Sequence, residues 1–120
     1  MIRLFVVFLV LAGSTAVHAA DPEAGQAVFK TQCGICHSVV QGKNMVGPSL
    51  FGVVGRKSGS IEGFRYSAAN KGSDITWSPE ILDKYLTAPR EVVPGTIMTY
   101  AGLKDDTKRA DLIAYLETLH

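Results

Sequence analysis

The stretch Cys33-Gly34-Ile35-Cys36-His37 decides the fold of this 120-residue chain. Two thiols at this spacing can form thioether bonds to the two vinyl groups of one porphyrin, and the histidine that follows can bind the iron. A disulfide, a thioredoxin-like redox pair and half of a zinc site are the alternatives. The strand and helix pattern of thioredoxin folds is missing around the motif, and after residue 20 the chain has only these two cysteines and one further histidine, His120. The motif therefore predicts one haem c, covalently bound through two thioether bonds.

An iron bound by one histidine has a sixth position, and its occupant separates electron transfer from ligand or oxygen chemistry. Met45, Met98 and His120 are the candidates after the first twenty residues. Met98 lies in a Pro-Gly loop about sixty residues after His37, which leaves ample chain to reach the other face of a haem. Met45 follows His37 by only eight residues, so the chain between them would have to be almost fully extended to reach the other face of the haem. Met45 is therefore the lesser alternative. With His37 and Met98 as metal ligands no iron position is open, and a carrier is expected, not an enzyme.

Three segments have helical signals. Asp21-Pro22-Glu23 offers a capping residue, a proline suited to the first helical position and an acid at the positive helix end, so a helix should run from there into the haem-attachment motif. Ser78-Pro79-Glu80 repeats this signal, and the second helix should stop at Ala88-Pro89. A third should begin at Asp105 or Asp106. Its residues expected to face inward are Ala110, Leu112, Ile113, Leu116 and Leu119.

The chain between Gly42 and Gly72 contains seven glycines and no sustained periodicity. Loops are expected there, with one short helical turn near residues 67–70. Another turn-rich loop is expected at residues 93–98. A long loop inside a compact domain is unusual unless it wraps something that supplies the missing core, and a haem would do so. No segment alternates like a strand.

The first residues of the chain differ from the rest. Arg3 precedes an apolar run at residues 4–12, and small residues follow as far as Ala20. These are the three parts of a secretory signal peptide. The apolar run has about half of the roughly twenty residues that a membrane-spanning helix needs. We therefore expect a cleavable leader at residues 1–19, with cleavage after Ala20 as the alternative, and one domain at residues 20–120.

The charges of the exported chain are balanced. The full chain has 12 basic and 11 acidic residues, and the loss of Arg3 with the leader leaves 11 of each. Such a balance gives no sign of nucleic-acid binding. The expected localisation is the periplasm, with transient contact with a membrane surface at most.

After the leader the chain resembles class I cytochrome c, which comprises the mitochondrial protein and its bacterial periplasmic relatives. The resemblance implies that the fold class is all-α, with the small cytochrome c fold: three main helices, short helical turns and loops wrapped around one covalent haem. It also implies that the first and last helices cross where Gly25 and Phe29 meet Leu112 and Tyr115. The segments that carry the likeness stand in the family's order: Gly47-Pro48-Ser49-Leu50, Gly55-Arg56-Lys57-Ser58-Gly59, Gly63-Phe64-Arg65-Tyr66, Asn70-Lys71, Ile75-Thr76-Trp77, Pro94-Gly95-Thr96-Ile97-Met98 and Asp111-Leu112-Ile113-Ala114-Tyr115-Leu116.

The resemblance also implies roles for single residues around the haem. The carbonyl of Pro48 should accept a hydrogen bond from the ring of His37 and so orient this ligand. The residues expected to hold the haem propionates are Arg56, Tyr66 and Trp77, and those expected to form a polar network beside Met98 are Asn70, Tyr85 and Thr96.

The function that the resemblance implies is a soluble, monomeric, periplasmic carrier. It would pass one electron from a membrane oxidoreductase to a terminal acceptor, so its partners would be redox proteins. A dedicated electron-accepting subunit of a periplasmic dehydrogenase is the alternative. A haem enzyme such as a small peroxidase is disfavoured, because it needs an open iron and a distal acid or base. One residue is missing between His37 and Gly47-Pro48 relative to the mitochondrial pattern, Ile97 stands where a lysine is common, and Tyr100 replaces a phenylalanine.

Overall fold

The structure, a computed structural model, describes Gly13 and residues 19–120. Apart from Gly13 and Ala19, the expected leader at residues 1–19 lies outside the described residues and stays a prediction. The described part contains five helices and no strand, with one antiparallel bridge between Lys57 and Thr76. The helices are α1 (Pro22–Gln32), α2 (Ala68–Lys71), α3 (Pro79–Thr87), α4 (Pro89–Val92) and α5 (Asp106–Glu117). The all-α class is thus confirmed, and none of these helices is long and apolar enough to cross a bilayer.

The three long helices begin at the expected residues, because each has a side-chain cap. Asp21, Ser78 and Asp105 accept hydrogen bonds from the backbone N–H groups of the first turns of α1, α3 and α5. An N-cap of this kind contributes about 1 kcal/mol to helix stability. Pro22 and Pro79 occupy the first positions of α1 and α3, where no N–H donor is needed.

One helix end and one additional helix differ from the sequence prediction. Helix α1 stops at Gln32, immediately before the haem-attachment motif, because the N–H groups of Cys33 and Gly34 both donate to the carbonyl of Phe29. The motif continues as a turn in which the N–H of His37 donates to the carbonyl of Cys33 at 3.0 Å. Helix α3 ends before Ala88 as expected, but the short helix α4 follows at once, since proline can begin a helix as well as end one.

The core is built where α1 crosses α5. Gly25 is buried, and a methyl group in its place would overlap the carbonyl of Asp111. Glycine therefore allows the two backbones to approach closely. At the same crossing, Phe29 packs on Tyr115 with ring centroids 5.7 Å apart, and Leu112 has no exposed surface. The crossing has the residues that the resemblance implies.

One residue expected to face inward on α5 does not. Ala110 is exposed, while the buried residue beside it is Arg109. The guanidinium of Arg109 donates to Asp83 at 2.6 Å, to Asp106 at 2.7 Å and to the carbonyl of Leu103 at 2.9 Å. A charged group can be buried when its donors are paired in this way. Arg109 therefore joins α5 to α3 and to the loop before α5, and an apolar pattern cannot predict this.

Candidate functional site

A cavity of about 670 Å³ lies between the loops and the helices. We call it the haem cavity, because its lining includes both cysteines and the histidine of the attachment motif. All eleven residues predicted from the sequence to hold the haem or its iron line this one cavity: Cys33, Cys36, His37, Pro48, Arg56, Tyr66, Asn70, Trp77, Tyr85, Thr96 and Met98.

The imidazole of His37 is held in one orientation. Its Nδ1 lies 2.8 Å from the carbonyl oxygen of Pro48. Because a carbonyl can only accept, Nδ1 carries the proton, and Nε2 of the neutral ring is left with the lone pair that binds metals. Burial lowers the pKa of His37, against the opposite effect of the hydrogen bond to Pro48. The ring is therefore neutral at physiological pH and ready to coordinate iron.

Gly47 shapes the site, although the sequence predicted no role for it there beyond its place in a segment that carries the resemblance. A side chain at this position would overlap the ring of His37, because the backbone of Gly47 lies directly against the imidazole. The signal that could have identified it is its place immediately before Pro48, whose carbonyl fixes the ring. Gly47 and Pro48 thus position His37 together, one by leaving space and one by accepting a hydrogen bond.

The two cysteines are half-buried thiols. Burial, together with the neighbouring Cys36, raises the pKa of Cys33 to about 11. Redox-active pairs of the thioredoxin type depend on a lowered thiol pKa, so the electrostatics of this pair oppose that alternative.

Met98 reaches the cavity from the loop between α4 and α5. The hydroxyl of Tyr85 lies 3.7 Å from Sδ of Met98, and the backbone N–H of Met98 donates to Oγ1 of Thr96 at 3.2 Å. The two other candidates for the sixth ligand lie elsewhere. Met45 is 42% exposed and does not line the cavity, and His120 is exposed at the end of the chain, with its ring beside the carbonyl of Glu117.

Two buried polar atoms in the cavity wall have no hydrogen-bond partner within the described residues: Nε of Arg56 and Oδ1 of Asn70. Nη1 of Arg56 donates to the carbonyls of Ser49 and Phe51, at 3.0 and 2.9 Å, and these bonds fix one edge of the guanidinium. The N–H group at Nε has no acceptor among the described residues. Leaving a buried polar group unpaired costs about 1–3 kcal/mol. Burial also lowers the pKa of Arg56, so a counter-charge would stabilise the guanidinium.

The remaining wall fits a group that is largely apolar. Trp77 is buried and packs against Tyr85, with ring centroids 4.7 Å apart. The hydroxyl of Tyr66 accepts a hydrogen bond from the N–H of Ile61 at 3.0 Å, so its own proton stays available to a ligand. Apolar walls combined with unused donors suit a haem, whose ring is apolar and whose propionates are charged. The residues present therefore fit the cofactor that the motif predicts.

Comparison with known proteins decides the family. The model of the family described as Cytochrome c matches residues 22–120 of the chain. The chain belongs to the cytochrome c family. As a cytochrome c, it is a single-haem electron carrier with covalently bound haem c, attached at the Cys33 and Cys36 motif.

Several relatives match along most of this cytochrome c. Cytochrome c2 of Rhodopila globiformis is 54% identical over 99 residues, which cover 82% of this chain and 93% of that protein. Cytochrome c2 of Blastochloris viridis is 51% identical over 119 residues, 98% of this chain and 93% of that protein. Cytochrome c of Trypanosoma brucei brucei is 60% identical over 78 residues, 65% of this chain and 84% of that protein.

The substitution Gly47→Ala tests how the backbone positions His37. The added methyl group would overlap the imidazole, so we expect a lower haem content and a free energy of unfolding reduced by about 1–3 kcal/mol, as for other overpacked sites. The measurements are the haem-to-protein absorbance ratio and urea unfolding of the purified protein. Val40→Ala is the matched control, because Val40 is 57% exposed and does not line the cavity. Equal haem content and stability in both variants would contradict this account of Gly47.

Proposed function

We propose that this cytochrome c is a periplasmic carrier that passes one electron from a membrane oxidoreductase to a terminal acceptor, through an iron bound by His37 and Met98. The observation that carries the proposal is that these two side chains line one cavity while Met45 and His120 do not. If protein ligands fill both axial positions, no iron site is open to a substrate, which favours electron transfer over enzyme chemistry.

When bound, the haem supplies a one-electron couple at its iron, and the chain supplies the surroundings. Pro48 orients the imidazole of His37, and Tyr85 and Thr96 hold Met98 through its sulfur and its backbone. A thioether is a soft ligand that favours reduced iron, so the His/Met pair should raise the reduction potential relative to two histidines. Arg56, with its unpaired Nε, is placed to bind a propionate. Buried Trp77 limits the access of water from its side.

The periplasmic location rests on the first residues of the sequence. The basic start, the apolar run and the small residues up to Ala20 are arranged as in a secretory leader. The match to the Blastochloris viridis protein covers 98% of this chain, so it extends into the same region.

Replacement of each methionine by alanine tests the ligand assignment. Met98→Ala should abolish the near-infrared thioether-to-iron band of the oxidised protein, lower the reduction potential and permit the binding of added ligands. Met45→Ala is the matched control and should change none of these, because Met45 lies outside the cavity lining. If the band were lost in the Met45 variant and kept in the Met98 variant, the assignment would be wrong.

Exposed apolar side chains lie around the cavity mouth. Ile35, Val46 and Ile97 line the cavity and are 83%, 79% and 71% exposed. Near Met98 the positive charges Arg90 and Lys104 are offset by the neighbouring acids Glu91, Asp105 and Asp106. We therefore propose that the partner is a redox protein whose docking face is also apolar.

The salt dependence of association tests this apolar docking. Electrostatic steering by basic side chains arranged around the cavity mouth would make the association rate fall steeply with ionic strength. We expect only a few-fold change between about 10 and 150 mM salt, over which the screening length shrinks from roughly 30 to 8 Å. The measurement is stopped-flow oxidation of the reduced protein by membranes of the source organism.

Two variants complete the docking test. Ile97→Ser should slow the reaction at both salt concentrations, whereas Val40→Ser should not, because Val40 is 57% exposed but lies outside the cavity lining. A hundredfold fall in rate with salt, or equal effects of the two substitutions, would refute apolar docking.

A further inference from the structure

The segment at residues 97–102, which carries Met98, has few backbone attachments. The nearest backbone hydrogen bonds flank it: Thr96 donates to the carbonyl of Val93 at 3.0 Å, and Leu103 donates to that of Leu86 at 2.7 Å. Between them, no residue of the segment makes a backbone-to-backbone hydrogen bond within the described part of the chain. Segments with few such bonds open at low cost in free energy. Side-chain contacts must therefore keep residues 97–102 in place against the cavity.

Tyr100 makes the one side-chain hydrogen bond that ties this segment to α1 in the part of the chain that the structure describes. Its hydroxyl donates to Oε1 of Gln32 at 3.0 Å, across 68 positions of sequence. Gln32 is the last residue of α1 and precedes the attachment cysteine Cys33. Both Tyr100 and Gln32 line the haem cavity, so their bond joins its two sides at the rim.

Within the part of the chain that the structure describes, the other polar contact from the segment to a different element is weaker. Tyr85 approaches Sδ of Met98 at 3.7 Å, and thioether sulfur is a poor acceptor. The bond between Tyr100 and Gln32 has ordinary geometry and ordinary oxygen partners. Among the described residues it is therefore the stronger of the two side-chain hydrogen bonds that join this segment to other elements.

We propose that Tyr100 and Gln32 are positioning residues whose hydrogen bond holds residues 97–102 closed and keeps Met98 on the iron against competing ligands. This inference rests on the proposed ligation by Met98. It concerns a residue pair in which the hydroxyl is essential, since phenylalanine at position 100 would fill the same space without donating a hydrogen bond.

The size of the effect follows from linkage. A ligand that binds only the open form has an apparent affinity proportional to the fraction of protein that is open. The loss of one ordinary hydrogen bond changes such an equilibrium roughly 2- to 10-fold. Because Gln32 is exposed, the lower half of this range is expected.

The test is titration of the oxidised holoprotein with imidazole, followed by loss of the near-infrared thioether band. Tyr100→Phe and Gln32→Leu should each raise the apparent imidazole affinity roughly 2- to 5-fold. The double variant should match the single ones, because the two side chains contribute one shared bond. Tyr115→Phe is the matched control and should leave the affinity unchanged, since this tyrosine packs on Phe29 at the crossing of α1 and α5.

The inference is overturned if Tyr100→Phe leaves the imidazole affinity unchanged, if the two substitutions add independently, or if Tyr115→Phe gives the same increase. A purely structural role for Tyr100 would lower the urea midpoint without moving the imidazole affinity, and that result would also overturn it. Failure of the proposed ligation is distinguishable, because the thioether band would then be absent from the starting protein or would survive in Met98→Ala.

Discussion

The contact between a haem and the walls of its cavity is the interaction on which the rest of this structure depends. Protein interiors are close-packed, and they contain few voids larger than a water molecule. The haem cavity measures about 670 Å³ in a domain of about one hundred residues, so without its occupant the domain would lack much of its core. Much of the long loop at residues 42–66 lines this cavity, so a bound cofactor would supply packing that the side chains of the loop do not supply alone.

Local signals in the sequence predict the helices well. Asp21, Ser78 and Asp105 are true caps, because each side chain accepts an N–H group that the helix itself leaves unpaired. Helix α4 could not be predicted with the same rules, since Pro89 is both a stop signal and a starting residue. Arg109 was missed because its burial depends on Asp83, 26 positions away, and on the carbonyl of Leu103. No periodic pattern carries that information.

The candidate site, like the helices, could be predicted from the sequence only in part. The cysteines, the histidine and Met98 follow from motif and chain length, and the structure brings them to one cavity. The roles of Arg56 and Tyr66 came only from resemblance, because a lone charge or aromatic residue has many possible uses. The sequence does not predict the contact between Gly47 and His37 or the hydrogen bond from Tyr100 to Gln32. Each depends on a close approach between backbone or side-chain atoms that the fold brings together.

The loop that carries Met98 connects the ligand with the surface. Ile97, which is 71% exposed at the cavity mouth, is the residue next to Met98. A partner that docks on Ile97 would therefore press on the same weakly attached segment that holds the sulfur in place. Docking and ligation would then be coupled through one short piece of chain, whose movement the hydrogen bond from Tyr100 to Gln32 would limit.

The most direct test of the account is the helix content of the protein without haem. The chain without its first 19 residues, with Cys33 and Cys36 both replaced by alanine and produced without haem, should be examined by far-ultraviolet circular dichroism and amide hydrogen exchange. The account predicts a largely unfolded chain, with rapid exchange in α1 and α5. A stably helical apoprotein with protected amides in these helices would contradict the claim that the haem completes the core.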